Sequence, residues 1–142
     1  MAPFTIEIFQ NYLLVGLRGK WDMSTNIHYL STLASSLQRC NGKAFHMVVD
    51  MRGWQIPNDT ISEKIKAPIH LDRRNQRSEI WLEDGNTVAD HIAEKVASEQ
   101  SVHLLRTDSI SRVIEWVRQH SSAAAAERIS QWLADDKVDK QN

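Results

Sequence analysis

Three groups of residues are of types that do chemistry. The first is Asp59-Thr60-Ile61-Ser62-Glu63. Read as a capping box, Thr60 caps a helix and Glu63 reaches back to the cap's backbone N–H. The free N–H groups and the dipole at such a helix start would equally favour a phosphate on Thr60 or Ser62. The second group is His46, His103, Glu79 and Glu83. Imidazoles and carboxylates brought onto one sheet face would make an acid–base pair or a metal site. No His-Glu-x-x-His spacing accompanies them. The third is Trp54, which lies between Gly53 and Pro57 just after an apolar run. In open α/β sheets ligands gather where strands end. Trp54 is therefore either an anchor for a ligand or partner, or a lid folded back on the core. Trp54, Asp59, Thr60 and Ser62 form the candidate binding set.

Other signals exclude more than they assign. The sequence has no Gly-x-Gly-x-x-Gly or Walker loop, which argues against the common nucleotide sites, and no Gly-x-Ser-x-Gly elbow, which argues against an α/β hydrolase. Cys40 has no basic cluster to activate it and reads as a packing residue at a helix end. Lys64, Lys66, Arg73, Arg74 and Arg77 are offset by Glu63 and Asp72, the pattern of a solvated surface. No cofactor or metal is expected.

These residues need elements to hold them. Phe4 to Gln10 alternates apolar and polar, and Tyr12 to Arg18 follows, which predicts a hairpin turning at Gln10-Asn11. A helix capped by Asp22 or Ser24 comes next, with Ile27, Leu30, Leu33 and Leu37 as its stripe. Asn41-Gly42 ends it. Ala44 to Asp50 is nearly all apolar, as central parallel strands are. A helix opens at Thr60 with Ile61, Ile65 and Ile69 in register, and Pro68 shortens it. Strands over Ser78–Glu83 and Val102–Leu105 alternate with two helices. One is capped by Asn86 and carries Val88, Ile92 and Val96. The other is capped by Asp108 and carries Ile110, Val113, Ile114 and Val117. A last helix is predicted over 123–134, docking through Ile129, Trp132 and Leu133, before a solvated tail.

The order β-β-α-β-α-β-α-β-α, plus one helix, predicts an α/β fold. Its sheet is mixed, with the first strand antiparallel and the rest parallel, and its helices lie mainly on one side. One face would carry Phe45, Met47, Val49, Ile80, Leu82, Val102 and Leu104. The other would carry His46, Val48, Glu79, Trp81, Glu83, His103 and Leu105. The second set is mixed, and an apolar part left uncovered would mark an interface. That favours a homodimer, with the last helix covering the sheet or bridging subunits.

At 142 residues the chain suits one domain, with residues 121–142 as an appended helix and tail. Seventeen basic and eighteen acidic residues give a net charge of −1, so no basic field would collect nucleic acid. A single cysteine and the absence of a signal sequence predict a reducing, cytoplasmic setting. No run approaches the roughly 18 apolar residues of a membrane helix.

The layout resembles a known family. The hairpin, the Leu-rich helix, the strand end Val48-Val49-Asp50-Met51-Arg52 and the three further βα steps are similar to the STAS domains, the anti-sigma-factor antagonist modules. The SpoIIAA-like branch is closer still. It is similar in its "VDxRG" strand end, in the basic segment Arg73-Arg74-Asn75-Gln76-Arg77, and in a late tryptophan, here Trp116. The resemblance covers roughly residues 4–120 and implies the β-β-α-β-α-β-α-β-α fold. It also implies a non-catalytic regulatory or binding module, taking a protein partner or a small apolar ligand. The alternative is a small enzyme or metal-binding protein using the His/Glu face. In signalling STAS domains a serine at the start of the second helix is phosphorylated, within a pattern resembling Asp-Ser-Ser-Gly. Here Asp59 and Thr60 match that pattern, Ile61 stands at the usual acceptor position, and the glycine is missing. No stoichiometric phosphate is therefore expected on Thr60 or Ser62.

Overall fold

The computed structural model describes residues 2–40, 42–55, 75–84 and 102–135. The helices expected from Thr60 and Asn86, and the tail beyond residue 135, lie outside the described residues. Strand β1 (Phe4–Phe9) and strand β2 (Tyr12–Leu17) form the hairpin, with Phe9 opposite Tyr12. The turn places Gln10, rather than Asn11, at positive φ (53°). Every residue of β2 is buried. It is an inner strand with an element packed on each side.

Helix α1 (Met23–Arg39) starts where Asp22 accepts a hydrogen bond from the Thr25 N–H at 2.8 Å, which supplies one of the orphan donors of the first turn. Its buried positions are Asn26, Tyr29, Leu33, Ser36 and Leu37, while Ile27 is exposed. The stripe is thus rotated from the expected one. Tyr29 explains this, because it joins a cluster with Phe4 and Trp21 at centroid distances of 5.4 and 5.1 Å. Aromatic rings contribute more contact area than the Ile27 side chain they displace from the interface.

Strands β4 (Phe45–Asp50), β6 (Gln76–Leu82) and β7 (His103–Thr107) complete a five-stranded sheet of order β1-β2-β4-β6-β7. The β1–β2 pair is antiparallel and each later pair is parallel, as expected. A small second sheet pairs β3 (Gly19–Lys20) with β5 (Trp54–Gln55), also in parallel. Helix α2 (Ile110–His120) is capped by Ser109, one residue after the expected Asp108. Helix α3 (Ala123–Ala134) spans the predicted residues.

The layering corrects the one-sided arrangement. Leu13, Val15, Leu17, Met47, Val49 and Trp81 form one core with Tyr29, Leu33 and Leu37 of α1. Tyr12, Leu14, Val48, Ile80 and Leu82 form a second core with Val113 and Val117 of α2 and Ile129, Trp132 and Leu133 of α3. Helices cover both faces. Of the apolar groups expected to lie open on the second face, Val48 and Leu105 are packed against the chain's own last two helices, and Trp81 lies in the α1-side core. Burial of Ile129, Trp132 and Leu133 contributes on the order of 6 kcal/mol before entropic losses, enough to hold a short helix in place.

The face assignment of β6 is also corrected. Phe45 lies opposite Gln76 but His46 lies opposite Ser78, so one extra residue, Arg77, is accommodated there. Such a bulge reverses the alternation of everything after it relative to its neighbour. Ile80 and Leu82 therefore face α2 and α3, and Trp81 faces α1. Among the described residues no helix is long and apolar enough to cross a membrane.

Candidate functional site

The carboxyl ends of the parallel strands are shaped by a buried ion network. Asp50 ends β4 and is fully buried (0% exposed). Arg18 follows β2 and is 3% exposed. Arg18 Nη2 donates to Asp50 Oδ2 at 2.7 Å, and its Nη1 donates to the carbonyls of Leu17 and Asp50 at 2.7 and 3.0 Å. From the other side Arg52 grips the same carboxylate. Its Nε donates to Oδ1 at 2.9 Å and its Nη2 to Oδ2 at 2.8 Å, and its backbone N–H also reaches Oδ1. Arg52 Nη2 further donates to the Leu133 carbonyl at 2.8 Å, tying the end of α3 to the strand edge.

Burial alone pushes the Asp50 carboxyl up. The hydrogen bonds and charges of Arg52 and Arg18 outweigh it and hold the group below the usual carboxylate range. A carboxylate so stabilised is a poor general base at neutral pH. It acts instead as a clamp between two strands and a turn.

The turn itself depends on glycine. Gly53 has φ 75° and Gly19 has φ 78°, and the Gly19 N–H donates to the Gly53 carbonyl at 2.9 Å. The Gly53 N–H is taken by Asp84 Oδ2 at 2.8 Å, linking the ends of β4 and β6. Beyond it, Arg106 forks onto Glu83 at 3.1 and 2.9 Å and lies over the Trp81 ring at 5.5 Å.

Trp54 leaves this turn inward. It is 6% exposed and meets Trp21 edge-on at 5.2 Å, within the α1-side core. Its Nε1–H is buried and has no hydrogen-bond partner among the described residues. Of the candidate binding set, Asp59, Thr60 and Ser62 lie outside the described residues. The exposed groups beside Trp54 are Lys20 and Gln55, which face each other across β3 and β5.

The His/Glu group does not assemble. His46 and His103 each stand beside Ser78 in the sheet, whereas Glu79 aligns with Met47 and Leu104 of the α1 side. Glu79 is buried and accepts from Trp81 Nε1 at 2.6 Å and from Gln76 Nε2 at 2.9 Å. It satisfies core donors. By alternation Glu83 follows Glu79 and Trp81, away from the two histidines. The reason is the extra residue at Arg77, which no periodicity in the sequence announces. Among the described residues, no three metal-binding side chains gather to hold an ion.

A second polar group, unforeseen as a unit, lies at the amino end of the strands. His46 Nδ1 and Ser78 Oγ are 2.6 Å apart. The His46 ring lies between Tyr12 at 5.2 Å and Trp116 at 5.4 Å, and Trp116 stacks on His120 at 4.1 Å. The spacing Trp116-x-x-x-His120 at the end of an amphipathic helix was the available signal.

Comparison with protein-family models, curated proteins and solved structures gives no match to this chain.

Proposed function

We propose that this chain is a non-catalytic binding module of the STAS, SpoIIAA-like kind, presenting the carboxyl edge of its parallel strands to a protein partner or a small apolar ligand. The use made of the strand-end carboxylate carries the reading. The Asp50 carboxylate accepts four hydrogen bonds among the described residues, all from Arg18 and Arg52. What it supplies is rigidity. A pre-organised edge loses little entropy when a partner docks. The antiparallel hairpin followed by three parallel pairings supports the family assignment, while helices on both faces depart from the expected one-sided form. The working rim on this reading is Lys20, Gln55 and the Gly53 turn, continuing in sequence into Asp59, Thr60 and Ser62.

The test is an affinity capture from the native host with the immobilised full chain, comparing variants. Lys20→Glu with Gln55→Glu alters only exposed groups. It should lose a specific bound species that His46→Ala and His103→Ala retain. If the histidine variants lose it and the rim variant does not, the binding edge is misplaced.

A further inference from the structure

The amino end of the sheet holds a ladder of four rings contributed by three elements. Tyr12 of β2, His46 of β4, and Trp116 and His120 of α2 follow one another at 5.2, 5.4 and 4.1 Å. Two hydrogen bonds brace it. Ser78 of β6 holds His46 Nδ1 at 2.6 Å, and Tyr12 Oη and Ser121 Oγ, just past α2, are 2.9 Å apart. His120 Nδ1 meets the Trp116 carbonyl at 2.9 Å, within the same turn. Beyond Val117, the end of α2 is thus fastened to the sheet through one half-buried imidazole and one phenol. Val113 and Val117, by contrast, are held by the apolar core.

We propose that this ladder is a proton-operated clasp: a proton on His46 releases the Trp116 ring and the end of α2, from Arg118 to Ser121, from the amino edge of the sheet. The groups that face His46 among the described residues are cationic or neutral. Arg77 and Ser78 lie on β6, His103 stands across Ser78 on β7, Tyr12 lies on β2, and Trp116 and His120 lie on α2. Glu115 is occupied by Arg118 and Gln119. A charged imidazole therefore gains no described carboxylate partner while losing part of its hydration.

Burial, then His120 and Arg77, hold the His46 ring below the ordinary histidine range. The consequence has a definite sign. In the closed clasp the protonation midpoint is depressed, and in the open clasp it returns to about 6.5. The clasp is therefore at full strength above that value. It weakens as the pH falls and levels off below the closed-state midpoint. Each unit of separation between the two midpoints increases opening about tenfold.

The experiment is a pH series by nuclear magnetic resonance on the full chain. It follows the His46 ring protons, the Trp116 indole N–H and the amide exchange of residues 118–121. We expect the His46 midpoint below the ordinary value. We expect the Trp116 signal and the loss of amide protection to follow that same midpoint, with Val113 unmoved. His120→Gln, at an exposed position, should raise the His46 midpoint and narrow the window over which residues 118–121 open. His46→Gln should abolish the pH dependence of Trp116. If Trp116 and residues 118–121 do not move with the His46 midpoint in the wild-type chain, the clasp is refuted whatever the variants do. A Trp116 response that persists in folded His46→Gln refutes it as well.

Discussion

Replacing Asp50 with asparagine tests the central structural argument most sharply. The change keeps the side chain's shape and removes its charge. Arg18, 3% exposed, then loses its charged partner and keeps neutral acceptors only, the carbonyls of Leu17 and Asp50 and at best the amide oxygen. The new amide also points N–H donors at guanidinium donors. Removing one partner of a buried ion pair costs about 3–5 kcal/mol. Arg52 is 31% exposed, so water takes up most of its loss and its share is discounted towards that of a surface pair. The expected loss is therefore at the low end, about 3 kcal/mol. With a urea dependence of roughly 2 kcal/mol per molar, the unfolding midpoint should fall by about 1.5 M. The five tryptophans provide the fluorescence signal. Arg18→Met should cost less, because Asp50 keeps Arg52. A pH series adds a second arm. Asp50 is depressed in the folded state, so its contribution is present above the ordinary aspartate value near 4 and is lost as the pH falls through the folded-state value. Asp50→Asn should flatten that part of the acid limb. A midpoint drop of less than about 0.5 M, or about 1 kcal/mol, would refute the claim that this carboxylate holds the strand edge.

Two other outcomes follow from packing. Trp54→Phe removes an N–H that has no partner among the described residues and keeps a ring against Trp21, so it should cost less than about 1.5 kcal/mol, whereas Trp54→Ala should cost about 3–5 kcal/mol by urea unfolding. Deleting residues 121–142 removes Ile129, Trp132 and Leu133 from above Val48, Ile80 and Leu82. The truncated chain should bind a hydrophobic dye strongly or associate in sedimentation. A truncated chain that matches the full one in both measurements would mean that α3 covers nothing of consequence.

Much of the architecture was legible because single residues announce it. Asp22 before Met23 marks a helix start, and the apolar run ending at Asp50 reads as an inner parallel strand. The span of α3 was legible in the Ile129/Trp132/Leu133 stripe, and in the structure Ser122 caps it. Other features leave no local trace. The insertion at Arg77 is a property of two strands together, so β6 alone reads as the wrong face. Which face α2 and α3 occupy depends on how the chain crosses the sheet, which periodicity does not encode. Asp50, Arg18 and Arg52 are spaced by 32 and 2 positions, and only the fold brings Arg18 to the other two. Trp54 reads from sequence as either an anchor or a lid on the core, and its ring lies in the core.

The insertion at Arg77 also separates two kinds of information within one strand. The side chain at this position is exposed, so its identity is almost free. Its presence is not. Losing one residue there would turn Trp81 and Glu79 towards α2 and α3, and Ile80 and Leu82 towards α1. That would strand the Glu79 carboxylate and the Trp81 N–H in a core built for aliphatic groups. In this stretch the chain reads its own length more strictly than its spelling. For the fold, substitutions at Arg77 belong with the neutral changes of a surface, while a one-residue deletion belongs with the breakage of a domain.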